Sequence, residues 1–326
     1  MNNNEIDVSV VIVCMNNLDN LCPCLDSIKE YTVKTRYEVL VVAYLFTKDN
    51  MEKVRNKYPW ARFIESNQIR GFSENNNLAL RQAKGKYCFV LNDDTKMEMP
   101  VVDMLIESFA KLPENAAIVS PVTVYPSGEV QFCGMPPKSW VDILLMIFHL
   151  KRKHNIRKYC NQAGLFKSYN IIGAAFLIKR DVFEKMGWFD EYYFFSPEDL
   201  ALSTLLNENG YECYVNSDAR IIHYEGMTGK SLSMIQTATK PASIVGALKF
   251  YSRNIDSCVG RFLIKLLLSV RTLSQYLMHK MRGSLAEKPN IYQILSIGNI
   301  RSVKAIWSNK TPKEIFIKYY SQLKTN

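Results

Sequence analysis

The sequence predicts an α/β fold on a mostly parallel central sheet, with an all-helical region behind it. Three observations carry that prediction. Nearly uninterrupted, β-branched apolar runs recur at Val8–Cys14, Glu38–Ala43 and Tyr87–Leu91, as strands covered on both faces require. Segments with apolar residues at helical spacing alternate with them, the order that a parallel sheet with crossover helices imposes. Beyond about Pro241 only the helical period persists.

Taken in order, Val8–Cys14 reads as a central first strand, and Leu18, Leu21, Leu25 and Ile28 mark the amphipathic helix that follows it. The run Glu38–Ala43 completes one βαβ unit. A short strand at Ala61–Glu65, a helix from Ser73 to Ala83 with Ser73 as its N-cap, and the strand Tyr87–Leu91 come next. A helix over Pro100–Leu112, with Pro100 at its first position, leads to a strand at Ala117–Ser120. Between Tyr125 and Tyr169 the alternation fails. Pro126, Gly128, Gly134, Pro136 and Pro137 break it ahead of an apolar stretch at Trp140–Leu150, so residues 125–169 read as an insertion. Regular elements resume with Ile171–Ile178, helices over Arg180–Met186 and Asp199–Asn209, and strands near Cys213–Asn216 and Ala219–Tyr224. The expected domains are therefore 1–240 and a helical 241–326.

A chain of 326 residues, 48% hydrophobic and 22% charged, can build a sizeable core and is neither disordered nor fibrous. Its net charge of +10 points to an anionic partner, whether nucleic acid, acidic lipid or a phosphate-bearing substrate. The eight cysteines form no C-x-x-C pair, which argues for reduced, buried thiols over a zinc site or a disulfide scaffold. The polar N-terminus offers no secretory signal, so a cytoplasmic protein is expected. From Val245 to Leu285, seven Lys or Arg and one acid, Asp256, are set among Phe250, Phe262, Leu263, Ile264, Leu266–Leu268 and Leu273. That is too charged for a span of ~20 apolar residues. It fits helices lying in an anionic membrane interface, or leucines packed on the catalytic domain or a second subunit.

Three places could carry chemistry. Leu91-Asn92-Asp93-Asp94-Thr95 follows a parallel strand directly, where α/β sheets bind ligands. Adjacent carboxylates there suit Mg²⁺ or Mn²⁺ clamping a diphosphate, although an Asx-rich turn has the same sequence signature. Glu198-Asp199 closes an aromatic loop that begins at Gly187. Apolar walls push a carboxylate towards general-base range, while acids in a first helical turn also simply favour the helix dipole. His223 ends a strand, as a ligand or as an ordinary core histidine. The segment Gly226–Ser231 imitates the tail of a P-loop, but Tyr224 stands where a glycine is needed and no first βα strand precedes it.

Read together and in order, these pieces resemble one family. Val-Ser-Val-Val-Ile-Val-Cys-Met-Asn-Asn, Gly71-Phe-Ser-Glu-Asn-Asn-Asn-Leu, Leu91-Asn-Asp-Asp-Thr, Gly173-Ala-Ala-Phe-Leu-Ile-Lys-Arg, Gly187-Trp-Phe-Asp-Glu, Glu198-Asp199 and His223 resemble a family 2 glycosyltransferase of the rhamnosyltransferase-like branch, over about residues 7–231. The resemblance implies a GT-A fold, a nucleotide-sugar donor, Mn²⁺ or Mg²⁺ as cofactor, and usually inversion at the anomeric carbon. It places the metal at Asp94 and His223, the general base at Asp199 with Glu198 beside it, and the nucleotide sugar near Asn16, Gly71, Asn76, Asn77, Asn92 and Asp93. Two positions depart from the family pattern. Val42 is followed by Ala43 and Tyr44 where the family has a base-reading Asp, and Ala201 replaces a further acid.

The function expected from all this is transfer of a hexose or deoxyhexose from a nucleoside-diphosphate donor to a glycan or lipid-linked acceptor in cell-surface polysaccharide synthesis. The protein would work in the cytoplasm at the inner face of the membrane, with a homodimer also allowed. A catalytically silent sugar-nucleotide-binding relative is the alternative raised by Ala43 and by Asn92, which stands where the resemblance would often have the first acid of a metal-binding D-x-D. A nucleic-acid-binding protein is disfavoured, because the cations cluster in the insertion and C-terminal segments and no recognition signature appears.

Overall fold

The computed structural model describes residues 5–135, 159–224, 234–285 and 289–324. The stretch Trp140–Leu150 and the segment Gly226–Ser231 lie outside the described residues. Two compact units emerge. Residues 5–68, 74–135, 159–190 and 199–224 form an α/β unit, and residues 69–73, 191–198, 234–285 and 289–324 group as a helical one.

In the α/β unit the first half follows the sequence pattern closely. Strand β1 (Val8–Cys14) leads to helix α1 (Leu18–Tyr31) and strand β2 (Tyr37–Tyr44). Asn17 caps α1 by accepting the Asn20 N–H at 3.3 Å. Helix α2 (Lys48–Lys57) then precedes β3 (Arg62–Ser66). The sequence pattern gives no sign of α2, because only Met51 and Val54 of its ten residues are buried. Helix α3 (Phe72–Leu80) starts one residue before Ser73, which therefore lies in the first turn and is not the N-cap. Strand β4 (Tyr87–Asn92), the short β5 (Thr95–Met97), helix α4 (Val101–Phe109) and β6 (Ala116–Val124) follow. Pro100 is the N-cap of α4, outside its first helical position.

The expected insertion itself contributes β7 (Leu165–Ser168) to the sheet, and β8 (Ala175–Lys179), α5 (Arg180–Lys185), α6 (Glu198–Glu208) and β9 (Glu212–His223) follow it. The two strands expected at 213–216 and 219–224 are one strand, bent by a register shift between Pro121 and Val122 of its partner. The sheet order is β3-β2-β1-β4-β8-β6-β9-β5, with β7 paired to β9. Strands β1 to β4 are parallel, β8 is antiparallel to both its neighbours, and β6 and β9 are again parallel. Val10, Ile12, Val39, Val41, Phe89 and Leu177 are buried on this sheet and pack with Leu21, Leu25 and Ile28 of α1 into one core.

The helical unit holds α7 (Gln236–Tyr251), α8 (Cys258–Leu285), α9 (Pro289–Ile306) and α10 (Pro312–Lys324). Pro241 lies inside α7, so the helical unit begins ahead of it. Ala238, Ala242, Val245, Ala305, Ile315, Phe316 and Tyr319 close on Phe194, the apolar centre of the 191–198 segment. Backbone approaches fix both inserted segments. The Phe72 N–H donates to the Phe194 carbonyl at 2.8 Å, and a Cβ at Gly71 would collide with that carbonyl. No described helix is long and apolar enough to cross a membrane.

Candidate active site

Strand β4 ends in Asn92, and the chain turns through Asp93 and Asp94 into β5. Strand β5 runs antiparallel to the end of β9, with Thr95 paired to His223. That pairing brings His223 Nε2 to 3.3 Å from Asp94 Oδ1, and the Tyr224 N–H donates to the Asp94 carbonyl at 2.9 Å. Both side chains are largely enclosed, 10% and 12% exposed.

Gln131, in the irregular segment after β6, fixes the imidazole. Its Nε2 donates to the His223 carbonyl at 2.9 Å, which leaves its Oε1 to accept from His223 Nδ1 at 2.9 Å. Assigned from that network, the ring proton sits on Nδ1 and the Nε2 lone pair faces Asp94. An imidazole lone pair and a carboxylate oxygen at 3.3 Å repel unless a positive charge lies between them. A second ring proton or a divalent cation meets that need. One carboxylate and one imidazole would suit a hard cation that takes its remaining ligands from phosphate oxygens and water; among the described residues no group of three or more His, Cys, Asp and Glu is placed to hold a metal by itself.

Asp93 adds to the negative charge. Burial pushes its carboxyl up to about 6, the Asp94 charge works in the same direction, and the Cys14 thiol beside it opposes both. Burial raises the Cys14 thiol far above its ordinary value, with the negative Asp93 adding to it. Cys14 and Asp93 are neighbours because Val13 of β1 pairs with Asn92 of β4.

Asp199 is tied to the same end of β4. Its Oδ2 accepts from the Gly173 N–H at 3.2 Å and its Oδ1 from the Leu200 N–H at 2.6 Å. Ser203 locks the turn from below, donating to the Asp199 carbonyl at 2.7 Å while accepting the Ile171 N–H at 3.3 Å. The next residue of that loop, Ala174, accepts the Asn92 N–H at 2.9 Å. One short loop therefore links Asp199 to the strand end that carries the acidic pair. Asp199 is half-buried, whereas Glu198, first residue of α6, is 8% exposed and groups with the helical unit.

The remaining expected residues have clear positions. Asn16, with φ 50°, accepts at Oδ1 from the Thr47 N–H and from Asn50 Nδ2, both at 3.0 Å, and so joins the end of β1 to the start of α2. Asn77 clasps the Phe189 backbone, its Nδ2 donating to the carbonyl at 2.9 Å and its Oδ1 accepting the N–H at 3.2 Å. Asn76 is buried next to it. Gly71 belongs to the helical unit, where its missing Cβ admits Phe194. Gln131, Cys14, Ser203 and the Gly173 N–H were not legible as site components. Gln131 sits in a segment without periodicity, and a backbone donor leaves no trace in residue identity.

Residues 9–187 match the model of Glycosyl transferase family 2, more than half of the chain. The O-antigen biosynthesis protein RfbC of Myxococcus xanthus is 24% identical over 227 residues, spanning 69% of this chain and 18% of that protein. The uncharacterized protein y4gI of Sinorhizobium fredii (strain NBRC 101917 / NGR234) is 26% identical over 234 residues, 67% of this chain and 24% of its own. The chain thus spans less than a quarter of the length of these curated relatives. Among solved structures, the mannosyltransferase PcManGT from Pyrobaculum calidifontis in complex with GDP-Man and Mn²⁺ aligns with TM-score 0.55 and 14% identity over 94% of this chain and 89% of that one. GalNAc-T7 with UDP, GalNAc and Mn²⁺ aligns at TM-score 0.52 and 16% identity, over 72% of this chain and 47% of its own. Both likenesses bear on the fold, which is of the GT-A type with C-terminal helices added.

Proposed function

The chain belongs to glycosyl transferase family 2, and from that premise we propose that it moves a hexose or deoxyhexose from a nucleoside-diphosphate donor to a glycan or lipid-linked acceptor, with inversion at the anomeric carbon. The observation that carries this reading is the loop that hydrogen-bonds Asp199 on one side and Asn92 on the other, so that a candidate base and the acidic turn both border the end of the central strand β4.

Asp94 and His223 would hold the divalent cation, the imidazole favouring Mn²⁺ over the more oxygen-demanding Mg²⁺. When bound, such a cation supplies counter-charge to a departing diphosphate. Asp199 receives the proton of the acceptor hydroxyl as that oxygen attacks the anomeric carbon. The two N–H groups on its carboxylate hold it in one orientation, and Glu198 positions the acceptor or Asp199 itself. Asn16, Asn76, Asn77, Asn92 and Asp93 of the α/β unit are the residues we assign to the donor, and Gly71 is assigned to it on the family resemblance alone. Strand β2 ends without a carboxylate, in Ala43 and Tyr44, so the base is not read there by an acid.

The O-antigen biosynthesis name of one relative, with the GDP-Man held by one structural neighbour and the UDP and GalNAc held by the other, supports a role in cell-surface polysaccharide synthesis, which we place on the cytoplasmic side of a membrane. The test is Asp199→Asn. Sugar transfer should fall by about 10²–10⁴-fold while donor affinity stays unchanged, because an amide keeps the shape without the basicity. Transfer at close to the wild-type rate would remove Asp199 from the role. Wild-type protein that binds donor with Mn²⁺ yet neither transfers nor hydrolyses it would be the silent relative instead.

A further inference from the structure

Helix α8 is a 28-residue rod with one face on its neighbours and one in the open. Leu268 and Thr272 are buried against the rest of the helical unit, where α8 packs on α9 and α7. Val259, Phe262, Leu263, Leu266, Val270, Leu273, Leu277 and Met281 recur at three- and four-residue steps along the opposite face and are 41% to 68% exposed. A continuous stripe of eight large apolar side chains over the length of a helix is not a scatter of surface residues.

The charges around the stripe decide what covers it. Helix α8 carries no acid at all; Arg261, Lys265, Lys280 and Arg282 are left to face an outer surface, whereas Arg271 is half-buried on the packed side near Tyr251. Two copies of this helix laid face to face would set cations against cations with no carboxylate to pair them. An anionic lipid surface is complementary on both counts, taking the apolar stripe into its acyl boundary and the cations among its phosphates. Amphipathic aromatics mark the two ends of the rod, as interfacial anchors do. Near its start Trp307, 46% exposed, meets Phe262 edge to face with ring centroids 5.6 Å apart, and the Lys265 ammonium lies 5.8 Å from the centre of the Trp307 ring. Towards its end a groove of about 450 Å³ opens between α8 and α9, lined by Tyr276, His279, Lys280, Gly283, Tyr292 and Ser296. Its cation, imidazole and hydroxyls are the donors that a lipid phosphate headgroup needs, directly beside Leu277 and Met281 of the stripe.

We propose that the open face of α8 is a membrane-docking surface for anionic phospholipid, with the groove at its C-terminal end seating a headgroup phosphate. It stands independently of the catalytic assignment, because every residue it uses lies in the helical unit. The test is co-sedimentation of the full-length protein with vesicles of phosphatidylcholine alone or mixed with phosphatidylglycerol. The wild type should pellet with the mixed vesicles and stay in solution with phosphatidylcholine, and high salt should release it. Leu266→Glu combined with Leu273→Glu should weaken binding at least about tenfold with an unchanged far-ultraviolet spectrum and melting temperature, since both side chains are exposed. His279→Ala with Lys280→Ala should lower the preference for phosphatidylglycerol over phosphatidylcholine, and free inorganic phosphate should not elute the wild type. Undiminished binding by the stripe variant, or equal binding of the wild type to both vesicles, overturns the assignment. So does a wild-type dimer in sedimentation that the stripe variant turns into a monomer, which would make the stripe a subunit seam.

Discussion

At the scale of single residues, the site is a set of buried polar groups whose states are set by their neighbours. Gln131 is the clearest case, because it touches neither acid yet decides which nitrogen of His223 faces Asp94. Replacing it by Met keeps the volume and removes the tautomer lock, so Mn²⁺ affinity measured by calorimetry should fall by about 10-fold or more, as for other groups that orient a ligating histidine. Unchanged affinity would mean that His223 is no ligand. Asp93 gives a pH dependence. Its carboxyl stands at about 6 in the fold against an ordinary value of 3.8. Below about pH 4 it is protonated in both folded and unfolded chains. Between about 4 and 6 only the folded chain keeps the proton, so metal-free protein loses stability as pH rises through that window, by up to about 3 kcal/mol. Denaturation midpoints in EDTA should therefore decline less steeply in Asp93→Asn than in the wild type, and identical slopes would place the titration elsewhere.

At the scale of elements, stability rests on caps and turns as much as on the core. Asp103 in α4 accepts from the Val33, Lys34 and Thr35 N–H groups at 3.0–3.2 Å and from the Thr35 hydroxyl at 2.5 Å, pinning the turn from α1 to β2. Asp103→Leu leaves those donors unsatisfied and should cost about 2–4 kcal/mol in chemical denaturation. Thr47 caps the exposed α2 through the Asn50 N–H at 3.2 Å, and Thr47→Ala should cost only about 1 kcal/mol. If the two substitutions destabilise equally, the turn is not held by Asp103. Helix α2 also shows where pattern reading fails, since ten residues with two buried side chains carry no apolar period to detect. Strand β5 escapes for another reason, because three residues paired at the end of a partner far along the chain show nothing locally.

At the scale of the whole molecule, donor and metal bind only the folded chain and so report on the site as a unit. With Mn²⁺ and a matching sugar nucleotide at about 100 times the dissociation constant, stabilisation should approach about 2.7 kcal/mol. A thermal-shift series across donors should show it, and Asp94→Asn should abolish it. A shift that survives in the mutant or in EDTA would argue against a cation at Asp94. The sequence by itself determined the α/β alternation, the GT-A resemblance and the identity of Asp94, Asp199 and His223 as site candidates, because buried strands and strand-end acids leave local signatures in residue type and spacing. Tertiary structure alone decided that β5 pairs with β9 to bring His223 onto Asp94, that Gln131 sets its tautomer, and that the Gly173–Ala174 loop binds Asp199 to the end of β4. It also decided that the apolar residues of α8 face outward. Each of these depends on which distant segments meet, and a contact between residues 92 positions apart is fixed by the packing of the sheet, not by the order of the residues that make it.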